Sequence, residues 1–161
     1  MLKSFAFVLM AVSCLATAPA HAAGGDSGSG SGGGGNEEAG EIKQSRTLLK
    51  NGNYAKAEGL LRKALAADAD NADAWNLLGY ATRMQGDNPE AEEYYGKALA
   101  LNREHVGALQ YLGMLYVQTG RIDEAKKLLA RIDDACFFTC EEYTDLKRAI
   151  ETGNTDKSPN W

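Results

Sequence analysis

The sequence predicts an all-α fold, a short solenoid of three helix-turn-helix units followed by a capping helix. Two observations predict it. Alanines recur at a spacing of 34 residues, and glycines that end the first helix of each unit recur at the same spacing. These residues are Ala57, Ala91 and Ala125, and Gly52, Gly86 and Gly120. A period of this length holds two helices, and such units bury a core only by stacking on their neighbours.

Residues 1–22 are predicted to be a cleaved signal peptide. Lys3 gives a basic start, residues 5–15 are apolar, and Ala20-His21-Ala22 supplies the small-x-small pattern of a cleavage site. The apolar run is shorter than the roughly 20 residues that span a bilayer, so stable membrane insertion is not expected. Lipid attachment through Cys14 is less favoured than cleavage. The bacterial style of this leader favours export to the periplasm.

The net charge of the chain limits the classes of partner that it can bind, and its cysteines predict a disulfide. Removing residues 1–22, which contain Lys3 and no acid, changes the formal net charge from −5 to −6. An acidic protein is a poor binder of nucleic acid, so no nucleic-acid partner is expected. Cys136 and Cys140 remain as an even pair, and in an oxidising compartment they are predicted to form a disulfide.

The mature chain divides into a spacer, a helical domain and a tail. Residues 23–36 are almost entirely Gly and Ser, which indicates a flexible linker. Helical periodicity runs from residue 37 to residue 152. The predicted repeats are 38–71, 72–105 and 106–135, followed by a capping helix at 140–152 and a frayed tail at 153–161.

Turn and capping residues set the predicted helix boundaries. The three glycines that recur every 34 residues each suit a left-handed turn after the first helix of their repeat. Asn88 is predicted to cap the next helix, with Pro89 at the first helical position. Thr139 and Glu142 have the spacing of a capping box at the start of the final helix, and Gly153 is predicted to end it.

The second repeat carries a family resemblance. Trp75, Leu78 and Gly79 on its first helix, with Ala91, Tyr95 and Ala98 on its second, resemble the tetratricopeptide repeat (TPR) consensus. The resemblance implies a right-handed α-solenoid of three TPR units that binds other proteins and carries out no chemistry. Gly79, Gly113 and Ser45 are then expected to be small because the two helices of each repeat cross closely there.

The family geometry also implies a binding groove. Positions 2, 5, 9, 12 and 13 of each repeat face the concave surface in that family. The corresponding residues here are Ile42, Arg46, Leu49, Lys50, Asp73, Asn76, Tyr80, Arg83, Met84, Gln110, Met114, Val117 and Gln118. Such a mixture suits an extended peptide or a helix of a protein partner. Arg46, Lys50 and Arg83 make the groove locally basic, which favours a ligand with acidic groups.

One recognition mode of the family is absent from the sequence. The two-carboxylate clamp that grips the C-terminus of cytosolic chaperones needs lysine, asparagine and arginine side chains at five positions. Those positions hold Ile42, Arg46, Leu77, Gly107 and Tyr111. A ligand held by that clamp is therefore not expected.

Enzymatic roles are disfavoured by the remaining residues. Cys136 and Cys140 have three residues between them, which fits a structural staple better than the Cys-x-x-Cys of redox enzymes, although a thiol-dependent activity stays an alternative. No metal site or cofactor is predicted, and Phe137 and Phe138 are expected to pack beneath the cap. His105 suits a helix start better than catalysis. A self-associating homodimer stays open beside the adaptor interpretation.

Overall fold

The computed structural model describes residues 40–137 and 140–156. Within these residues the chain forms seven α-helices and no strand, which confirms the all-α prediction. The helices are α1 (Gly40–Lys50), α2 (Tyr54–Ala67), α3 (Ala72–Met84), α4 (Asn88–Leu101), α5 (Val106–Gln118), α6 (Ile122–Ala135) and α7 (Glu141–Thr152). The predicted signal peptide, the Gly/Ser-rich linker and the tail beyond residue 156 lie outside the described residues.

The helices stack as pairs. Each predicted repeat contains one pair, α1 with α2, α3 with α4 and α5 with α6, and each pair also packs against the next one. The first helices α1, α3 and α5 lie beside one another, and α7 lies against both α5 and α6. One continuous apolar core runs through the stack. This is the arrangement of a solenoid, in which each unit is stabilised by its neighbours.

The predicted turns after the first helices are confirmed. Gly52, Gly86 and Gly120 have positive φ values of 72°, 95° and 77°. Gly153, with φ 72°, ends α7 in the same way. Residues with a Cβ rarely adopt this conformation, which explains why the same residue type recurs at each turn.

The cap of α4 lies one residue earlier than predicted. The side chain of Asp87, not Asn88, accepts a hydrogen bond from the backbone N–H of Glu90 at 3.2 Å. Asn88 is therefore the first helical residue and Pro89 the second. Proline is tolerated there because the N–H groups of the first turn have no intrahelical partner. The carboxylate of Asp87 also suits the positive end of the helix dipole.

Gly79 sits where α3 and α4 cross, as predicted. A Cβ atom added at Gly79 would lie 2.8 Å from two ring carbons of Tyr95 on α4. The Tyr95 side chain is fully buried, so the ring has little room to move away. The aromatic ring therefore occupies the volume that a larger residue at position 79 would need.

Gly113 has a different neighbour from the one predicted. A Cβ atom added there would lie 2.5 Å from Cδ2 of Leu146, which belongs to α7 and not to the second helix of the same repeat. The reason is that α7 takes the place of a further first helix and inserts Leu146, fully buried, against α5. The capping helix is thus fixed by the same close packing that holds the repeats together.

Candidate functional site

The predicted groove residues lie on the first helices, and most of their side chains are buried. Those with less than a tenth of their surface exposed are Ile42, Leu49, Asn76, Tyr80, Arg83, Gln110, Met114 and Val117. Arg46 is half-buried, and Lys50, Asp73, Met84 and Gln118 are exposed. Because neighbouring first helices lie side by side, side chains at these positions pack against the next helix. Ligand binding by the whole set stays a prediction.

Three polar contacts connect α3 with α5 and α5 with α7. His105, just before α5, bonds Asp73 of α3 with 3.0 Å between Nε2 and Oδ1. Gln110 of α5 donates through Nε2 to Oδ2 of Asp145 on α7 at 3.1 Å. Arg83 of α3 donates through Nη1 to Oε1 of Gln118 on α5 at 3.4 Å. Four predicted groove residues, Asp73, Arg83, Gln110 and Gln118, therefore hold the first helices in a fixed arrangement before any ligand binds.

The helix-start role predicted for His105 is confirmed. Its Nδ1 accepts a hydrogen bond from the backbone N–H of Ala108 at 3.3 Å, which caps α5. Because Nδ1 accepts, the hydrogen-bond pattern assigns the Nε2–H tautomer, which donates to Asp73. This hydrogen bond is the main cause that lowers the pKa of Asp73. Both nitrogens of the ring are thus engaged in structural contacts.

A cavity of about 420 Å³ opens where α3 and α5 end. The described residues that line it are Tyr54, Tyr80, Arg83, Met84, Gly86, Gln118, Thr155 and Asp156. Tyr80, Arg83, Met84 and Gln118 belong to the predicted groove set. Of that set, these are the four that the structure brings together around a space large enough for a ligand's side chains.

The other lining residues were missed by sequence reasoning. Tyr54 begins α2, a second helix, and the family pattern assigns groove positions only to first helices. Thr155 and Asp156 follow α7 and lie outside the repeats. Two hydrogen bonds between side chain and backbone, one involving Thr152 and Asn154 and one involving Asn154 and Asp156, order this segment. The alternation of short polar residues after Gly153 is the one sequence signal for such turns.

Four tyrosines form a row from the cavity into the core. Ring centroids are 6.3 Å apart for Tyr54 and Tyr80, 5.1 Å for Tyr80 and Tyr111, and 6.4 Å for Tyr111 and Tyr95. Burial raises the pKa of Tyr80 to about 12 and raises the pKa values of Tyr95 and Tyr111 as well. The nearby Arg83 guanidinium partly opposes this rise. With their pKa values raised, the hydroxyls of Tyr80, Tyr95 and Tyr111 are neutral at physiological pH.

The chain matches models of a known protein family. Two family models described as tetratricopeptide repeat match residues 82–150 and 42–102, and together they span residues 42–150 of the 161. The chain belongs to the tetratricopeptide repeat family. The comparison with curated proteins found no significant match.

Solved TPR structures share the fold. The second TPR domain of human RPAP3, in complex with an HSP70 peptide, is 20% identical with a TM-score of 0.61, covering 70% of this chain and 92% of that one. The type III secretion chaperone SycD of Yersinia enterocolitica, in complex with a peptide of the translocator YopD, is 14% identical with a TM-score of 0.60, covering 70% and 85%. The Sgt2 TPR domain of Aspergillus fumigatus is 19% identical with a TM-score of 0.61, covering 75% and 83%.

A disulfide between Cys136 and Cys140 joins the last repeat of the TPR domain to its capping helix. Their Cα atoms are 6.1 Å apart, and both side chains pack against the core. Cys140 is the N-cap of α7 and forms no side-chain capping bond, and Thr139 of the predicted capping box lies outside the described residues. Phe137 is 97% exposed, so its predicted position beneath the cap is wrong, and Phe138, predicted to lie there too, is outside the described residues. Because the bridge holds both ends of a short link against the core, Phe137 projects outward.

We expect the double substitution Cys136→Ser, Cys140→Ser to lower the free energy of unfolding of the TPR domain by about 2 kcal/mol, the loop-entropy value for so short a loop. Urea unfolding followed by circular dichroism, with and without reductant, measures this. Reductant should destabilise the wild type by the same amount and leave the double variant unchanged. Equal stability of the oxidised wild type and the variant would remove the staple interpretation.

No candidate metal site occurs in the part of the TPR domain that the structure describes, where no three His, Cys, Asp or Glu side chains are grouped to hold an ion. None of the described helices has both the length and the apolar character to cross a membrane.

Proposed function

We propose that this TPR protein is a non-enzymatic adaptor that binds a peptide or short helix of an envelope protein on its concave surface. The observation that carries the proposal is the cavity at the ends of α3 and α5, which four predicted groove residues line. Met84 is 41% exposed, which is unusual for a large apolar side chain in this domain. An exposed methionine beside a cavity provides adaptable apolar contact for a partner.

The residues around the cavity suit a polypeptide ligand. Tyr54 and Met84 offer aromatic and apolar surface, and the exposed amide of Gln118 can both donate to and accept from a peptide backbone. The contacts of Asp73 with His105 and of Gln110 with Asp145 keep the surrounding helices in place. A preformed surface loses less conformational entropy on binding, which favours affinity.

The structural neighbours support peptide binding as a class of function. The RPAP3 domain is in complex with an HSP70 peptide, and SycD with a peptide of its translocator. The ligand proposed here is nevertheless a different one. The positions of the two-carboxylate clamp hold Ile42, Leu77 and Tyr111, all buried, so a chaperone C-terminus would not find the side chains that this clamp requires.

The proposed place of action is the periplasm. The signal-peptide pattern of residues 1–22 supports export. The disulfide between Cys136 and Cys140 agrees with an oxidising compartment, where such bonds persist. After cleavage, the Gly/Ser-rich residues 23–36 would form a flexible N-terminal segment ahead of the TPR domain.

In-cell photocrosslinking tests the proposal. A photoreactive amino acid at Met84, beside the cavity, should give a discrete adduct recovered from the periplasmic fraction, and mass spectrometry should identify one partner. The same amino acid at Lys126 on α6 is the matched control, since that side chain is 61% exposed and lies outside the lining of the cavity. The purified partner should then bind the purified chain directly.

Two results would contradict the adaptor. Equal adducts from Met84 and Lys126 would show that the cavity has no special role. An adduct of twice the chain mass, with no other partner, would favour the self-associating homodimer instead.

A further inference from the structure

The most buried charge in the cavity belongs to Arg83. This residue lies in the last turn of α3, and only 5% of its surface is exposed. Its Nη1 reaches Gln118 at 3.4 Å, and its Cζ lies 5.7 Å from the ring centroid of Tyr80. The Nε atom is buried and has no hydrogen-bond partner within the described residues.

The environment of Arg83 compensates its charge only partly. The negative end of the α3 dipole and the π face of Tyr80 both favour a cation. Each of these effects is smaller than the cost of taking an ion out of water, and a buried charge normally has a partner of opposite sign. Within residues 40–137 and 140–156, no carboxylate forms an ion pair with Arg83.

More exposed arginines of the same chain show the contrast. Arg62, with 48% of its side chain exposed, pairs with Glu58 at 2.8 Å. Arg121, 40% exposed, pairs with Glu92 at 2.7 Å. Water screens the charges of Arg62 and Arg121. A neighbouring carboxylate is therefore less necessary for them than for the buried Arg83. The lack of a counter-charge for Arg83 among the described residues therefore points to a ligand.

The cavity beside Arg83 indicates what that ligand carries. A guanidinium binds a carboxylate through two parallel hydrogen bonds, and such charge-assisted bonds are strongest where water is excluded. Tyr54, Tyr80 and Met84 add apolar and aromatic surface next to the charge. A carboxylate on a short carbon chain, next to an apolar residue, matches this combination better than a free inorganic anion does.

We propose that the cavity around Arg83 is a carboxylate-binding site, which receives a glutamate or aspartate side chain of the partner peptide beside an apolar residue. The assignment rests on the proposed peptide-binding function and names the chemistry that the peptide must have. Asp156 lines the same cavity and forms no ion pair with Arg83.

Peptides selected from a random library against the mature chain are the first test. We expect the selected peptides to contain Asp or Glu next to an apolar residue. Changing that acid to its amide should weaken binding about 10- to 100-fold, the range for a hydrogen bond to a charged group. The Arg83→Gln variant should bind both forms of the peptide equally weakly, whereas Arg121→Gln, the matched control, should retain wild-type affinity. Equal affinity of wild type and Arg83→Gln for the acidic peptide would overturn the inference.

A second measurement does not depend on any selected peptide. We expect the Nε–H resonance of Arg83 to shift saturably when N-acetyl-glutamate amide is added, and not when N-acetyl-glutamine amide is added. No shift with the acid would overturn the inference even if peptides are selected. Saturation by inorganic phosphate at lower concentration than by the acid would assign the site to a free anion instead. A library that yields no binder would contradict the adaptor function. The resonance shift would then, by itself, show whether the cavity around Arg83 binds a carboxylate.

Discussion

Replacing Gly79 with valine is expected to lower the free energy of unfolding by about 3 kcal/mol, the upper end of the range for overpacking a core. The added Cβ alone would lie 2.8 Å from the ring of Tyr95, and the two γ-methyl groups of valine need further volume. Tyr95 is fully buried and cannot turn toward solvent. The clash must therefore be relieved by separating α3 from α4, which disturbs the packing of the whole middle repeat.

A matched substitution separates this clash from the general effect of valine in a helix. Gly96 lies within α4, is exposed, and has no atom within 4 Å of an added Cβ. Gly96→Val should be neutral or slightly stabilising, because valine has a higher helix propensity than glycine. Urea unfolding of both variants measures the difference. If Gly79→Val were as stable as Gly96→Val, close packing of α3 and α4 would not be the reason for glycine at position 79.

The features that could be predicted from sequence are those that recur with the repeat or depend on local backbone conformation. Gly52, Gly86 and Gly120 mark three turns because each adopts a positive φ, and that requirement is visible in the residue type itself. The seven helices follow from these turns together with the helical period. The cap at Asp87 was misplaced by one residue because aspartate and asparagine are equally good caps and stand next to each other.

The features that could not be predicted depend on distances between elements. Arg83 and Met114 occupy positions that face the groove in the repeat pattern, yet how far they are buried depends on how closely α1, α3, α5 and α7 approach. That spacing is a property of the whole stack and not of any one repeat. The cavity has the same origin, since Asp156 lines it only because the chain after α7 returns to the ends of α3 and α5.

Truncating Leu146 to alanine is expected to cost about 3 to 5 kcal/mol, as for other fully buried leucines. Leu146 is the side chain through which α7 meets the backbone of α5 at Gly113, so its loss leaves a cavity beneath the cap. Leu101→Ala is the control, because Leu101 is 43% exposed and should change stability by less than about 0.5 kcal/mol. Urea unfolding gives these values, and hydrogen exchange of the α7 amides shows whether the cap opens.

The packing between Leu146 and Gly113 predicts that the two positions are coupled. Gly113→Ala alone should destabilise, because its Cβ would lie 2.5 Å from Cδ2 of Leu146. In the Leu146→Ala background the same methyl group enters the vacated volume and should recover part of the lost stability. The expected coupling energy is about 1 to 3 kcal/mol, in the range found for residues in direct contact. Strictly additive effects would mean that α7 is held by other contacts, such as the disulfide between Cys136 and Cys140, and that Leu146 does not fix the cap on α5.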